Sequence, residues 1–311
     1  MEITINNKTI TPPESWNELT LEQQLFIYGV LMTDSRNLFE AQELLPAKRI
    51  LIVQKLLDLD TEFMQQWEAD CIAAVAEDGG EEMDGKLIFL SELGEVLKAT
   101  DFLFELEEKE KEDEPDRYKI KLGLTKCPYA WINFKRRNGT KKQWLAPADA
   151  LENITIYEMG VTFTLFEKFM KTKDESLADK LLATMFRPPK PFTKENKQSD
   201  YEGDRRLPYL KHEGMVKKRM IRIQLIPKPA KHLLLFWFAS CRHQIISAYP
   251  NIFTGGGGEQ GGNNYGWGGV LLSLADGLVN LDVISQQKYS NALTYLSYLE
   301  DQRKLRMLRK A

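Results

Sequence analysis

The chain has 311 residues, of which 43% are hydrophobic and 28% are charged. This balance is typical of a folded protein with one large or two ordinary domains, and it excludes a chain that is disordered throughout. The longest nearly continuous apolar run, "LLLFWFASC" at residues 233–241, is under half of the roughly 20 residues that a helix needs to cross a bilayer, so we expect no membrane span. The start, "MEITINNKTITPP", lacks the features of a secretory signal, and the three cysteines are widely spaced, which favours a cytoplasmic chain without disulfides.

The net charge of −3 conceals an asymmetry along the chain. Residues 77–116 contain sixteen acids against four lysines, whereas residues 186–232 contain thirteen Lys and Arg against five acids. One interpretation is two solvated faces or loops, because charge runs usually lie in solvent. The alternative is that the two blocks meet, either within one chain or between neighbouring copies in an assembly.

The first domain, residues 1–110, is predicted to be a short hairpin followed by helices. "EITINNKTI" alternates apolar and polar residues around an Asn-Asn turn. Ser15 with Glu18 and Thr20 with Gln23 form two nested capping-box patterns, and helical periodicity continues through "RNLFEAQELL", "AKRILIVQKLLDL" and "TEFMQQWEADCIAAVAE". Residues 107–117 have no apolar side chain and are predicted to be an acidic linker.

The second domain, residues 118–311, is predicted to begin with a small antiparallel sheet and to continue as helices. Within "AWINFKRRNGTKKQWL" the Asn138-Gly139 pair is a strong hairpin signal, and the sheet is expected between residues 118 and 146. Asn153 or Thr155 can cap the next helix, and "AKHLLLFWFASCRHQIISAYP" is apolar nearly all round, which is typical of a central core helix. Flexible loops are expected at residues 187–222 and 254–269, and Ser285 is expected to cap the last helix. The fold class is therefore mainly α, resembling a helical bundle, with small antiparallel β-hairpins.

The glycine-rich stretch has the spacing of a dinucleotide-binding loop at Gly256, Gly258 and Gly261, and nine of residues 255–269 are glycine. A nucleotide loop follows a strand, and a P-loop also needs a Lys. This stretch follows a predicted helix and contains no Lys. We interpret it as a flexible connection that ends near Trp267, and we expect no cofactor.

The hairpin turn has the ingredients of a nucleic-acid patch, namely cations beside aromatic rings. Its candidate residues are Arg136, Arg137 and Lys142, flanked by Trp131, Phe134 and Trp144. The alternative is a solvated hairpin tip whose aromatic residues face the core. The acidity of the whole chain favours this alternative over nucleic-acid binding.

No catalytic or metal-binding motif is recognisable. Cys241 and His243 are the one close pairing of soft ligands, but on a helix they point to different faces. Neither a nucleophile elbow nor a CxxC or HExxH pattern is present in the sequence. We therefore expect a protein that is not an enzyme and holds no metal.

Several segments in order resemble a family of uncharacterised proteins from phages and prophages of Bacteroidetes-type bacteria. The segments are "SWNELTLEQ", "LTKCPYAWINF", "PADALENITIYEMGVTFTLFEKFMKTKDESLADKLLATMFRP", "LFWFASCRHQIISAYPNIF" and "GWGGVLLSLADG". These proteins are similar to products of the tail-morphogenesis region, which encodes tail assembly chaperones and tail or neck components. The long glycine loop departs from the expected family form.

The resemblance implies a viral protein that acts by binding during tail assembly in the host cytoplasm. Its most specific form is a tail assembly chaperone that covers the apolar helices of a tape-measure protein until tail-tube subunits replace it. The alternatives are a virion component that forms a ring of copies in the tail or neck, and a nucleic-acid-handling accessory protein. Flexible apolar side chains suit helix capture, although core packing is the alternative role for them. The candidate contact residues are Met159, Met170, Met185, Met215, Met220 and Trp267.

Overall fold

The computed structural model describes residues 2–5, 8–32, 46–77, 81–106, 118–135, 141–191, 193, 203–209, 213–253, 266–275 and 280–308. Within these residues the backbone forms twelve α-helices and three two-stranded antiparallel sheets. The chain is thus mainly α with small β elements, as the sequence predicts. It divides into two compact units, Met1–Leu124 and Thr125–Ala311.

The described residues of the first unit form four strands and four α-helices. In chain order these are β1 (Ile3–Ile5), β2 (Lys8–Ile10), α1 (Leu21–Met32), α2 (Pro46–Leu57), α3 (Thr61–Glu77), α4 (Glu82–Leu97), β3 (Phe104–Leu106) and β4 (Tyr118–Ile120). β1 and β2 pair antiparallel, which confirms the predicted hairpin. The predicted helical segment "RNLFEAQELL" lies outside the described residues.

The two predicted capping boxes at the start of this unit have different outcomes. The Thr20 box is confirmed, because the Thr20 amide donates to the Gln23 side chain at 3.0 Å and the Gln23 amide donates to Thr20 Oγ1 at 3.2 Å. The Ser15 hydroxyl instead donates to the Glu18 carboxylate at 2.8 Å, and the chain there makes a single 3₁₀ turn over Trp16–Glu18. Trp16 in this turn is buried, so burial of the indole anchors a turn too short to be an α-helix.

α3 and α4 pack closely against each other because a glycine sits at their contact. A Cβ atom on Gly85 would lie 2.6 Å from the Cα atom of Ile72, a distance that no larger residue tolerates. The Trp67 ring packs edge-on against Phe89 at 5.1 Å, and its indole N–H donates to the Glu92 carboxylate at 2.8 Å. A buried indole thus satisfies its polar atom within the helix pair.

The boundary between the units lies further along the chain than the sequence predicts. Tyr118 was expected to start the sheet of the second domain, but β4 pairs antiparallel with β3 of the first unit, with Phe104 opposite Ile120. Leu124, at the end of this unit, is fully buried. The predicted acidic linker at residues 107–117 lies outside the described residues, and the strands on either side of it pair with each other.

The second unit contains two strands and eight α-helices among its described residues. These are β5 (Trp131–Lys135), β6 (Lys141–Leu145), α5 (Ile156–Thr172), α6 (Glu175–Met185), α7 (Glu213–Ile223), α8 (Lys228–Ala248), α9 (Pro250–Phe253), α10 (Gly266–Leu274), α11 (Leu281–Ser285) and α12 (Tyr289–Leu308). β5 and β6 pair antiparallel, with Trp131 opposite Leu145 and Lys135 opposite Lys141, which confirms the predicted strand pair, and the turn itself lies outside the described residues. Thr155 caps α5 in a full capping box with Glu158, which confirms one of the two predicted caps.

α8 is the central helix of this unit, as its apolar sequence predicts. All residues from Leu233 to Cys241 are buried, and the Trp237 indole donates to the Thr125 carbonyl at 3.0 Å. Phe163 of α5 packs edge-on against Phe238 of α8, with the ring centroids 6.0 Å apart. A helix buried on every face requires partners on all sides, and α5 is one of them.

Two further expectations for this unit need correction. Residues 187–222 were predicted to be a flexible loop, but the described part includes helix α7 and the buried side chains of Arg187 and Arg206. Ser285 was predicted to cap the last helix, but it ends α11, and its hydroxyl donates to the Asp282 carbonyl at 2.9 Å. The last helix begins four residues later, at Tyr289. Most of the glycine-rich loop lies outside the described residues, and α10 begins at Gly266.

None of the helices in the described part of the chain combines the length and the apolar character that crossing a bilayer demands.

Candidate functional site

A groove with a volume of about 490 Å³ lies in the second unit, between β5, the turn that follows α7 and the first turns of α8. Its lining is mainly apolar. Its lining residues include Tyr129, Trp131, Phe134, Leu225, Pro227 and Leu234. The volume lies in the usual range of about 300 to 1,000 Å³ for sites that enclose a ligand or a few side chains.

Local sequence explains why large apolar side chains remain exposed at this groove. α7 ends at Ile223, and the turn after it is closed by the Leu225 amide donating to the Arg222 carbonyl at 3.1 Å. Pro227, just before α8, has no N–H to continue the helix, so the chain reverses here and leaves Leu225 69% exposed. On β5, alternation places Phe134 in the core and leaves Trp131 50% exposed.

Basic side chains lie around this apolar surface. Arg222 is among the lining residues, and Lys218 lies one helical turn before it on the same side of α7. On the neighbouring strand, Lys142 is opposite Phe134 in the antiparallel register. An apolar floor with a cationic edge is chemically suited to a segment with an apolar face and acidic flanks.

The structure separates the six candidate contact residues into different environments. Met159 and Met185 are buried core residues, Met170 and Met220 are half-buried, and Met215 is 40% exposed. None of these methionines is among the groove-lining residues. Trp267 packs on the backbone of α5, because a Cβ atom at Gly160 would lie only 2.9 Å from the Trp267 Cβ.

The structure describes the predicted nucleic-acid patch only in part. Arg136 and Arg137 lie outside the described residues, and Lys142 is half-buried on β6. Of the aromatic residues at the hairpin, Phe134 and Trp144 are buried with their ring centroids 4.4 Å apart, whereas Trp131 is exposed. Trp131, one of the aromatic residues predicted beside the basic turn, therefore lines the apolar groove.

The cysteine and histidine side chains do not assemble into a site within the described part of the chain. Cys241 is buried and His243 is exposed, as their spacing on a helix predicts. Burial raises the pKa of the Cys127 and Cys241 thiols, so both remain protonated near neutral pH. Among the described residues, no three His, Cys, Asp or Glu side chains are grouped so as to hold a metal ion.

A buried ionic cluster is the most unusual polar feature of the second unit. Its members are Glu158, Arg187, Asp204, Arg206 and Arg219. An Nη2 atom of Arg187 lies 2.5 Å from Glu158 Oε1 and 2.9 Å from Asp204 Oδ2. Arg206 binds Asp204 with two parallel hydrogen bonds of 2.8 and 2.9 Å, the strong bidentate geometry that a guanidinium favours.

The cluster is tied to the end of α6. The Arg206 side chain also donates to the Met185 carbonyl, and Arg219 Nε donates to the Ala183 carbonyl, each at 2.7 Å. These contacts satisfy carbonyls in the last turn of a helix, where cations are favoured. The α6 end, the segment after it and α7 are thereby held together by charge-assisted hydrogen bonds.

Local sequence patterns predict neither the apolar groove nor the buried ionic cluster. The groove joins β5 to a turn more than 85 residues away along the chain, and the cluster joins Glu158 to Arg206 across 48 residues. The strongly basic segment at residues 186–232 lies beside apolar segments, and this arrangement indicates that some of its cations are buried.

Comparison with family models, with curated proteins and with solved structures gave no match to this chain.

Proposed function

We propose that this chain is a non-enzymatic phage tail assembly protein whose groove binds an apolar helix of a partner, as a tail assembly chaperone binds the tape-measure protein. The observation that carries the proposal is the apolar groove with Trp131 and Leu225 exposed beside Arg222. The phage setting is supported by the segment resemblance described above. The groove supports the binding mode, and the resemblance supports the partner.

The shape of the groove favours a helix as occupant. Helices bind grooves by inserting apolar anchors at positions i, i+3 or i+4, and i+7, which together form a narrow stripe. Trp131, 50% exposed on β5, and Leu225, 69% exposed in the turn after α7, supply apolar contacts for such a stripe from two different elements. Aromatic residues at the centre of an interface usually contribute most of its binding free energy.

The charge around the groove selects among apolar helices. Arg222 and Lys218 favour a helix whose flanks carry Asp or Glu, and they disfavour one with basic flanks. Such a charge preference distinguishes this binding from non-specific hydrophobic association. Binding should weaken as the salt concentration rises, although the apolar contribution remains.

Co-purification with a tape-measure fragment tests the proposal. Leu225→Asp places a charge in the groove and is expected to weaken capture of the co-expressed fragment by at least about tenfold, as desolvating a charge costs well over 1.4 kcal/mol. Ile221→Asp is the matched control, because Ile221 is 63% exposed on α7 and is not among the groove-lining residues. No complex with the unaltered chain at micromolar concentration, or equal losses from both variants, would contradict the proposal.

A virion component that forms a ring is the second candidate, favoured by an exposed apolar stripe on α4. Met83, Leu87 and Leu90 are each about 60% exposed and follow the 4-3 spacing of a helix-pairing seam. The acids of the same helix favour a basic surface on a neighbouring copy.

Quantitative mass spectrometry of mature particles separates the candidates. A stoichiometric ratio to other tail proteins supports the ring, and presence in the infected-cell lysate alone supports the chaperone.

A further inference from the structure

The buried ionic cluster adjoins a cavity of about 220 Å³ that the proposed function does not use. Glu158, Arg187, Asp204 and Arg206 form its floor, and Lys190 and Lys288 also line it. The cavity is separate in character from the apolar groove, since none of its lining residues is shared with the groove.

The charges around this cavity do not balance. Its lining carries four cations, Arg187, Lys190, Arg206 and Lys288, against the two carboxylates of Glu158 and Asp204. Both carboxylates are already engaged by the arginines, so they do not neutralise the lysines. Neither lysine forms an ion pair with a residue in the described part of the chain. Two lysines without a described ion-pair partner therefore line one small polar space.

An unused hydrogen-bond donor lies in the same place. Arg187, which lines the cavity, is 1% exposed, and its Nε atom has no acceptor among the described residues. A buried donor without an acceptor costs roughly 1 to 3 kcal/mol, so such a group usually has a partner. This donor at the cavity indicates that an acceptor belongs there.

We propose that this cavity binds a small oxyanion of the phosphate class. A dianion matches the two excess positive charges, and its several oxygens can accept from Arg187 and from both lysines at once. Guanidinium groups held in place by other contacts are well suited to this role, because little side-chain freedom is lost on binding. The phosphate enters either as the free ion or as the end group of a phosphomonoester whose remainder stays outside the cavity.

Isothermal titration of the full chain tests the proposal with inorganic phosphate, phenyl phosphate and acetate at matched ionic strength. We expect phosphate to bind and acetate to bind at least about tenfold more weakly, since a monoanion engages fewer of the charges. Tighter binding of phenyl phosphate than of phosphate identifies a phosphomonoester as the ligand, and the reverse order identifies the free ion. No heat with either phosphate, or equal affinity for acetate, overturns the proposal.

Variants at the cavity edge separate a binding site from a structural cluster. Lys190→Ala combined with Lys288→Ala removes both unpaired cations but leaves the buried arginine contacts in place, and is expected to weaken phosphate binding by about tenfold or more. Lys168→Ala, an exposed lysine on α5 outside the cavity, is the control and should bind phosphate unchanged. If the double variant is folded and binds phosphate with unaltered affinity, the proposed site is refuted.

Discussion

Replacing Glu158 by glutamine tests whether the buried ionic cluster stabilises the second unit. Glu158 is 2% exposed, and its carboxylate does two things: Oε1 contacts Arg187 at 2.5 Å and Oε2 accepts from the Thr155 amide at 2.9 Å. Glutamine retains the shape and can still accept from the amide, so the cap of α5 survives. The change therefore keeps the cap but removes both the charge and the oxygen that contacts Arg187.

The expected loss of unfolding free energy depends on the contacts that Arg187 retains in the Glu158→Gln variant. Breaking a buried ion pair by removing one partner typically costs about 3 to 5 kcal/mol, because a charge is left buried without compensation. Arg187 still contacts Asp204 at 2.9 Å after the change, so we expect the lower end, about 3 kcal/mol. Arg187→Met removes the ion-pair partner of Glu158 and leaves the Thr155 amide as its hydrogen-bond donor in the described part of the chain, so it is expected to cost about 3 to 5 kcal/mol.

The double variant provides the decisive comparison. Removing both charges leaves no unpaired ion, so Glu158→Gln with Arg187→Met should be more stable than Arg187→Met alone. Urea unfolding followed by circular dichroism gives the free energy of each variant. Glu167→Gln is the control, because its partner contact with Arg242 is at the surface and should contribute about 1 kcal/mol or less. If Glu158→Gln lowers stability equally in the presence and absence of Arg187, the two charges are not coupled and the reasoning fails.

Two further predictions concern packing and pH. Gly160→Val is expected to lower the free energy of unfolding by about 1 to 3 kcal/mol, because its side chain collides with Trp267. Gly268→Ala is the control and should be tolerated, because an added Cβ atom there meets no atom within 4 Å. Differential scanning calorimetry measures the effect of both variants. Burial lowers the pKa of His232, although Glu175 opposes this effect, so protonation favours the unfolded chain. The unfolding free energy should then fall as pH decreases below about 6.5, the pKa of an unfolded histidine. His232→Gln should remove part of this dependence; a pH profile identical to that of the unaltered chain contradicts the assignment.

Local sequence patterns correctly predict the elements that depend on residues within one segment. The Thr155 cap, the pairing of β5 with β6 and the buried helix α8 each depend on residues within one segment, and each agrees with its prediction. The Ser285 cap failed although its residue type was suitable, because Ser285 bonds back to Asp282 and closes a different helix. A capping residue predicts a helix end nearby, but tertiary context decides which helix it belongs to.

The candidate sites depend on contacts that no local pattern encodes. Trp131 was weighed beside a basic turn because the two are adjacent in sequence, but the side chains opposite it in the groove come from a turn more than 85 residues further on. The boundary after Leu124 differs from prediction for the same reason, since β4 pairs with a strand that precedes the acidic segment. Strand pairing and groove formation are tertiary choices that apolar periodicity leaves open.

The basic segment shows how one charge run can serve two physical roles. Arg187, Arg206 and Lys231 are buried, and their acidic partners Glu158, Asp204 and Asp179 all belong to the second unit rather than to the acidic block at residues 77–116. Lys218 and Arg222, from the same run, remain near the surface beside the groove. Buried cations need nearby carboxylates and fix the helices in place, whereas exposed cations are free to select a partner by charge. A substitution that neutralises the first group should therefore act on stability, and one that neutralises the second should act on partner binding and its salt dependence.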